Sequence, residues 1–304
     1  MKDLHLHLSG GTSPALLYEI INETGLKIKT KNFWDFYNAV TINKNKVHNI
    51  EEYLDVLHII DDSQSSPRAV KMSVYNACTN CFINGCDYLE LRWNPYKRSQ
   101  NFKIDLDKLI ISARAGFEKA KSIFKLEGGM ILCLGRDVSE EANEGIFKKA
   151  IQYHKKGIIG IDVAGHEAKN PLNQNFEDFF KTANILGMTT TIHAGEQNYP
   201  GVEDTLAAIL ERYNPDRIGH GIQIHRFPKL MKLAARMEVL FEICITSNLV
   251  TRAVESEQEF TKIFKLFEEY QIKYTICTDA TFALETNIKK EHELYERIKK
   301  LSKK

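Results

Sequence analysis

The feature that most constrains the fold is a repeated alternation of short β-like runs and longer amphipathic helical patterns along the 304 residues. Eight runs have the composition of strands, and several are continuously apolar, which is typical of strands covered on both faces. The strand-like runs are 4–8, 88–93, 130–135, 158–165, 189–195, 217–221, 239–248 and 273–279. Helical patterns between them include 13–25, 106–124, 140–157, 175–187 and 203–213.

Eight successive β/α units predict a fold of the α/β class, a closed (β/α)8 TIM barrel. An open doubly wound sheet is the alternative. No linker rich in Pro, Gly or Ser divides the sequence, so we expect a single domain over residues 1–304, a size that such barrels commonly reach. The segment 31–77 carries further helical patterns between strands one and two. We expect these extra helices to lie over the mouth of the barrel.

Composition argues against several classes of partner. Lys plus Arg number 41 and Asp plus Glu number 40, which gives a net charge of +1. Neither nucleic acid nor an anionic membrane is therefore expected as the main partner. No apolar run reaches the length of about 18 residues that predicts a transmembrane helix. The opening residues, "MKDLHLHLSGG", lack a signal-peptide pattern, so we expect a cytoplasmic location. The oligomeric state is left open.

Titratable side chains gather at the ends of the predicted strands, which is where a barrel of this kind carries its functional residues. In "DLHLHL", His5 and His7 share one face of strand one, because side chains alternate along a strand. The corresponding residues at later strand ends are His193 and Glu196 in "IHAGE", His220 in "RIGHG" and Asp279 in "YTICTD".

These residue types suit a catalytic metal. His5, His7, His193 and Asp279 provide three imidazoles and one carboxylate, a set that fits one Zn²⁺ with room for a water molecule. Zinc lowers the pKa of that water toward neutrality, so that it can attack a carbon electrophile. Glu196 follows the His193 position by three residues, in a turn, where a carboxylic acid would shuttle protons.

Each of the remaining assignments has a structural alternative. His220 would orient the water or stabilise developing charge, but a hydrogen-bonded core histidine is also possible there. Glu196 alternatively caps the turn that follows it, and Asp279 alternatively caps the next helix. The joint placement of the whole set at strand ends favours the functional interpretation.

The chain resembles the adenosine deaminase family, within the amidohydrolase superfamily, through six motifs in the family's order: "HLHLSG", "GIDVAGHE", "HAGE", "RIGHG", "TSN" and "TDA". The match runs from residue 3 to about residue 282. The resemblance implies a (β/α)8 barrel with one catalytic zinc per chain. It also implies that the enzyme hydrolytically deaminates a 6-aminopurine nucleoside or nucleotide, with a 6-oxo purine and ammonia as products.

The resemblance also implies a role for individual residues. Glu196 matches the group that protonates the purine nitrogen N1, and His220 matches the residue that positions the attacking water. The backbone of Gly165 matches the glycine that contacts purine N3. The positions that the resemblance implies for metal binding are His5, His7, His193 and Asp279, and those for substrate binding are His7, Ser9, Gly165 and Ala280.

Two positions depart from the family pattern. Ser9 stands where the family commonly has an aspartate that binds ribose, and a neutral side chain cannot accept the same charged hydrogen bonds. Ala280 stands where a second acid usually contacts purine N7. The substrate is therefore either an adenosine-like nucleoside or nucleotide, or a modified adenine compound such as N6-methyl-AMP, adenine or aminodeoxyfutalosine.

Two further hypotheses use the same residues. One is a metal hydrolase for another C–N bond, such as that of a cyclic amide or a pterin. The other is a purine-nucleotide-binding module with reduced activity, which Ser9 and Ala280 motivate. The presence of both Glu196 and His220 favours catalysis over binding alone.

Overall fold

A computed structural model of the protein describes residues 1–26, 30–43, 45–170, 172 and 174–301. Eight strands form one parallel sheet in the order β1 to β8. They are β1 (Lys2–His7), β2 (Tyr88–Trp93), β3 (Glu127–Gly135), β4 (Ile158–Ala164), β5 (Thr189–Ala194), β6 (Arg217–His220), β7 (Leu240–Ile243) and β8 (Lys273–Ile276).

The two ends of this sheet meet just after β8. The amide of His7 donates to the carbonyl of Asp279 at 2.8 Å, and the amide of Asp279 donates to the carbonyl of His5 at 2.7 Å. The sheet is thus a nearly closed barrel, and the predicted (β/α)8 fold is confirmed.

Helices surround the barrel. Among the described residues they are α1 (Pro14–Thr24), α2 (Phe33–Val40), α3 (Ile50–Ser63), α4 (Pro67–Ile83), α5 (Pro95–Ser99), α6 (Leu106–Phe124), α7 (Glu140–Tyr153), α8 (Gln174–Ile185), α9 (Val202–Ala208), α10 (Pro228–Arg236), α11 (Ile245–Val250), α12 (Glu257–Glu269) and α13 (Ile288–Leu301). A π-helical turn, Ile209–Tyr213, continues α9, and a 3-10 helix, Ile222–Arg226, precedes α10. In this part of the chain, no helix combines the length and apolar character needed to cross a bilayer.

Two predicted strands are shorter than expected. The run 273–279 forms β8 only as far as Ile276. The run 239–248 reads as a single strand, but β7 ends at Ile243 and α11 begins at Ile245. The amide of Asn248 donates to the carbonyl of Cys244 at 2.9 Å, which is the first helical turn. The "TSN" motif is therefore helical, and this turn directs Ser247 and Asn248 toward the carboxyl ends of the strands.

Among the described residues, the connection between β1 and β2 contains the four helices α1 to α4. It includes the predicted insertion 31–77, of which residue 44 lies outside the described residues. The first three pack into a second hydrophobic cluster, separate from the main core. This cluster includes Leu17, Phe36 and Leu57 from the helices and Val250 and Leu284 from segments after β7 and β8. The packing holds α3 beside the mouth of the barrel.

Side-chain alternation divides the strands into an apolar outer face and a polar inner face. Outer residues of the strands are completely buried in the main hydrophobic core, for example Leu6, Leu91, Ile161 and Ile192. The positions between them on the same strands are polar and also buried, and they include His5, Arg92, Asp162 and His193. The strands therefore deliver ionisable side chains to the barrel interior.

The close contact between β2 and β3 generates a test of the fold. Gly128 has a φ of +114°, and a Cβ atom there would overlap the carbonyl oxygen of Leu89, whereas Gly145 in α7 has open space around it. We expect Gly128→Ala to lower the free energy of unfolding by about 2–4 kcal/mol, because strain adds to the overlap. We expect the control, Gly145→Ala, to raise it by about 0.5–1 kcal/mol. Urea denaturation measures both, and equal tolerance of the two substitutions would contradict the strand register.

Candidate active site

A cavity of about 530 Å³ lies at the carboxyl ends of the strands. Its floor is ionisable, with His7, His193, Glu196, His220 and Asp279. One wall is the inner face of α3, and the opposite wall is the loop after β4. The wall residues are Ile50, Tyr53, Leu54 and Leu57 from α3 and Ala164, Gly165, His166, Glu167 and Ala168 from the loop.

Four of the predicted site residues converge on one point. His5, His7 and His193 each offer a ring nitrogen, and these three nitrogens lie within 4.8 Å of one another. Oδ1 of Asp279 is 3.7 Å from Nε2 of His5 and 3.6 Å from Nε2 of His7. Nε2 of His5 is buried with no hydrogen-bond partner among the described residues. An unpartnered buried nitrogen facing two further imidazoles and a carboxylate fits a bound cation, and this donor set suits Zn²⁺.

Local backbone geometry makes room for this cluster. A Cβ atom at Gly219 would lie 2.9 Å from Cε1 of His5, so the glycine in "RIGHG" allows the His5 ring to approach β6. His220 and Asp279 adopt positive φ angles of +57° and +61°. Non-glycine residues in this conformation cost free energy and gather at functional sites. The strained positions therefore coincide with two of the predicted site residues.

Carboxylates behind the histidines fix the orientation of two rings. Nδ1 of His5 lies 2.8 Å from Oε2 of Glu242, and Nδ1 of His193 lies 3.0 Å from Oδ2 of Asp162. A carboxylate at Nδ1 accepts its proton and leaves the Nε2 lone pair free for a ligand. Both rings consequently present Nε2 to the cavity.

Arg92 connects these two carboxylates. Its guanidinium is completely buried and donates to Oδ2 of Asp162 at 3.2 Å and to Oε2 of Glu242 at 2.8 Å. Nε of Arg217 lies 3.0 Å from the other oxygen of Glu242. Burial raises the pKa of Asp162, but His193 and Arg92 outweigh burial and hold it below its usual range. Asp162 therefore stays ionised behind the His193 ring.

The surroundings of His5, His7 and His193 shift the pKa of each imidazole. Burial, reinforced by Arg92, keeps the pKa of His5 well below its usual value. Burial likewise lowers the pKa of His7 to about 3. Burial also lowers the pKa of His193, but the adjacent Asp162 outweighs it and the pKa is raised. His5 and His7 are thus neutral at pH 7, which is the form that binds a metal.

Two hydroxyl groups position Asp279. The phenol of Tyr53 and the hydroxyl of Ser247 each donate to its Oδ2 at 2.7 Å, so Oδ1 is the oxygen that faces the histidines. Burial raises the pKa of Asp279, yet His7, His220 and these two hydrogen bonds lower it by more. Asp279 is therefore a carboxylate.

Glu196 and His220 lie together beside the cluster. Nε2 of His220 is 3.9 Å from Oε1 of Glu196, and Nδ1 of His220 lies 3.2 Å from the side-chain amide of Asn248. Because an amide nitrogen can only donate, Nδ1 of His220 accepts this hydrogen bond, and Nε2, on the cavity side, carries the ring proton. The loop that carries Glu196 is held by the buried carboxylate of Glu167, which accepts the amide of Gly195 at 2.9 Å.

The predicted substrate-binding positions lie in different places. Gly165, with a φ of +113°, lines the cavity and also an adjoining cavity of about 520 Å³. Ser9 lines only the adjoining cavity. Ala280 is completely buried in the second hydrophobic cluster, in contact with Gly10, and lies outside both cavities. The substrate contact of Ala280 stays a prediction, and its small methyl group packs against the glycine.

A second combination of metal-binding side chains overlaps the first. His5, His220 and Cys244 also bring one ligand atom each within 4.8 Å of one another. Cysteine coordinates metals as the thiolate, and burial raises the pKa of the Cys244 thiol well above its usual value. This favours the set that ends in Asp279.

Several residues of the site have no counterpart in the sequence predictions. Arg92 lies with Glu90 inside the otherwise apolar strand run "YLELRW", and Glu242 is the single charge in "LFEI". Such charges must be paired when buried, so this signal was available. Tyr53 lies in an amphipathic helical pattern, and its spacing gives no indication that its hydroxyl reaches Asp279.

An eight-stranded parallel barrel with a histidine- and carboxylate-rich cavity at its strand ends is the architecture of the amidohydrolase class of enzymes. The sequence model of the adenosine deaminase family matches residues 1–304. The chain therefore belongs to the adenosine deaminase family, and it is a hydrolase that acts on C–N bonds of cyclic amidines.

Individual relatives agree with this assignment. An adenosine deaminase from Clostridium botulinum strain 657 is 27% identical over 300 residues, which cover 99% of this chain and 88% of the relative. The N6-mAMP deaminase of Arabidopsis has a similar structure, with a TM-score of 0.83, 22% identity, and coverage of 99% of this chain and 88% of that one. A zinc-bound amidohydrolase from Burkholderia ambifaria gives a TM-score of 0.84, 20% identity, and coverage of 97% and 79%. At these identities the two structural similarities show the fold.

The buried ion network generates a test. Glu242→Gln removes the carboxylate that Arg92 and Arg217 share, so that Asp162 alone faces Arg92 and Glu90 alone faces Arg217. Removing one partner from a buried ion network is costly. We expect the free energy of unfolding to fall by about 3–5 kcal/mol. The control Glu118→Gln, on the exposed face of α6, should change it by less than about 0.5 kcal/mol. Similar small effects for both variants in urea denaturation would contradict the network.

Proposed function

We propose that this chain is a zinc aminohydrolase that removes the 6-amino group of an adenine-containing nucleoside or nucleotide. The products would be the 6-oxo purine and ammonia. The observation that carries the proposal is the convergence of the four predicted ligands beside Glu196 in one cavity. Membership of the adenosine deaminase family supports the reaction type.

We propose His5, His7, His193 and Asp279 as the ligands of one Zn²⁺ per chain. When bound, zinc supplies the Lewis acidity that lowers the pKa of a water molecule toward neutrality. The protein prepares the donors in advance, because Glu242 and the other buried carboxylates fix the ring orientations. Outer partners of this kind raise metal affinity.

Glu196 performs the proton transfers in this proposal. It donates a proton to the purine nitrogen N1 while the oxygen nucleophile adds at C6. The proton that Glu196 donates comes from the attacking water. The C6–N6 bond then breaks, its electron pair leaves with the amino nitrogen, and the second proton of that water moves from the C6 oxygen to this nitrogen, which gives ammonia and the 6-oxo purine. His220 lies 3.9 Å from Glu196, and its Nε2 proton holds the attacking oxygen and stabilises charge that develops there.

The walls of the cavity complete the site. The backbone of Gly165 faces the cavity opposite α3, where we propose that it contacts purine N3. Leu54 and Leu57 line the α3 side and limit access of water. Excluding water strengthens the electrostatic interactions inside the site.

A second candidate is deamination of a modified adenine compound, such as N6-methyl-AMP, adenine or aminodeoxyfutalosine. Ser9, in place of an acid, favours it, and the structural similarity to the Arabidopsis N6-mAMP deaminase is consistent with it. The leaving group distinguishes N6-methyl-AMP from the substrates of the first proposal, because N6-methyl-AMP releases methylamine, whereas adenosine and AMP release ammonia.

Metal binding is tested at Asp279 without changing a ligand. Tyr53→Phe removes one of the two hydrogen bonds to Oδ2 of Asp279, and loss of such an outer partner lowers metal affinity by about 10- to 100-fold. Competition with a chromophoric chelator measures zinc affinity. Tyr153→Phe is the matched control, since its hydroxyl bonds Asp107 on the outer helices. Equal affinities for the two variants would argue against Asp279 as a ligand.

Catalysis is tested with metal-replete protein and a panel of adenosine, deoxyadenosine, AMP, ATP, adenine, N6-methyl-AMP and aminodeoxyfutalosine. We expect amine release from at least one of them. Glu196→Gln should retain zinc and lose kcat by about 100- to 10,000-fold, because it cannot transfer protons. Glu211→Gln, at an exposed position, is the control. Release from no compound would refute the proposal, and full activity of Glu196→Gln would refute the role of that residue.

A further inference from the structure

The cavity that adjoins the active site is lined by charged and polar side chains as well as by leucines of α3. The two cavities share His7, Leu54, Leu57, Ala164 and Gly165, so they lie side by side. We name the second one the donor cavity. Its polar side chains include Ser9, Asp61, Trp93, Asn94, Lys97 and Arg98.

We propose that the donor cavity binds an anionic 5′ substituent of the substrate, a phosphate, so that the enzyme acts on a nucleoside 5′-monophosphate in preference to the neutral nucleoside. The inference rests on the proposed function, because it assumes that the purine lies in the first cavity. Gly165 lines both cavities, and in the proposed function it contacts purine N3, which lies beside the sugar-bearing N9. The donor cavity is therefore placed at the sugar end of the ligand.

Two buried donors in this cavity have no partner among the described residues. They are Nε1 of Trp93 and Nδ2 of Asn94, in side chains whose residues are 2% and 7% exposed. An indole nitrogen can only donate. The amide orientation of Asn94 is fixed because its Oδ1 accepts the amide of Lys97 at 2.9 Å and caps α5. Both groups are therefore free to donate to an acceptor that enters the cavity, since buried polar groups usually find a hydrogen-bond partner.

The single acid of the donor cavity is already neutralised. Oδ1 of Asp61 lies 2.7 Å from the buried guanidinium of Arg98, and the hydroxyl of Ser9 also donates to it. Arg98 in turn donates to the Ser9 hydroxyl at 3.1 Å. An aspartate at position 9 would place a second negative charge beside Asp61. The neutral Ser9 adds no such charge, so position 9 does not repel an anion in the donor cavity.

Lys97 adds a cation that can turn to a ligand. Its ammonium group lies 2.7 Å from Asp137, and the two side chains are 25% and 36% exposed. Such an exposed ion pair is weak, and an ammonium group has three donors. The donor cavity thus offers a ligand unpartnered hydrogen-bond donors together with a positive charge. A phosphate, which offers charged acceptor oxygens, matches that set better than a ribose hydroxyl does.

The test compares substrates within each variant of the metal-replete, full-length protein. For the wild type we expect kcat/KM for AMP to exceed that for adenosine by at least about tenfold. Asn94→Asp keeps the cap of α5, because aspartate caps helices well, but it replaces the amide donor with a negative charge. It should lower the AMP-to-adenosine ratio by about 10- to 100-fold. Lys97→Met should lower the ratio as well, whereas Lys148→Met on exposed α7 should not.

The ratio is insensitive to a general loss of folded enzyme, because both substrates use the same preparation. Adenosine-5′-carboxylic acid tests whether the site prefers a phosphate or accepts a carboxylate. If its kcat/KM equals that of AMP, the anion site is supported and binds either group. Deamination of adenosine at least as fast as AMP, with a ratio that Asn94→Asp does not change, would overturn the inference and leave the proposed function intact.

Failure of the proposed function has a different signature. If no compound is deaminated, calorimetry compares inosine 5′-monophosphate with inosine on the same metal-replete protein. Tighter binding of the monophosphate, weakened in Asn94→Asp, supports the donor cavity as an anion site even though the catalytic proposal has failed. Equal binding of the two compounds overturns the inference.

Discussion

The candidate site depends on a buried guanidinium that lies between two carboxylates. Arg92 donates to Asp162 and to Glu242, and each of these acids faces the Nδ1 atom of a histidine, His193 and His5 respectively. Charges in the barrel interior are stable only when they are paired and hydrogen-bonded. The same ion pairs orient both rings. The interactions that stabilise the buried charges therefore also direct Nε2 of each histidine toward the cavity. The stability of the barrel interior and the orientation of the metal-binding histidines therefore both depend on the guanidinium of Arg92.

The arrangement also requires a complete barrel. His5 and His7 lie at the beginning of the chain and Asp279 near its end, and the backbone hydrogen bonds between these segments close the sheet. The ligand cluster consequently exists only when β1 reaches the segment after β8. A cation that binds this cluster would stabilise the folded chain and have little affinity for the unfolded one, which links metal binding to folding.

Much of this arrangement could be predicted from the sequence, for identifiable reasons. The eight units and the strand-end positions of His193, His220 and Asp279 follow from periodicity and from the geometry of parallel barrels. The end of β7 could not be predicted, because the apolar run 239–248 does not distinguish a strand from the first turn of a helix. Tyr53 also escaped prediction, since its contact with Asp279 depends on how α3 packs across the barrel mouth.

The central claim is that residues from both ends of the chain hold one zinc ion. X-ray absorption spectroscopy of the zinc-loaded protein, with the metal quantified per chain, tests it most directly. The account predicts one zinc per chain, surrounded by imidazole nitrogens and carboxylate or water oxygens at about 2.0–2.2 Å. The absence of stoichiometric zinc would contradict the account. So would a sulfur neighbour at about 2.3 Å, because sulfur would place the ion at the overlapping set that contains Cys244.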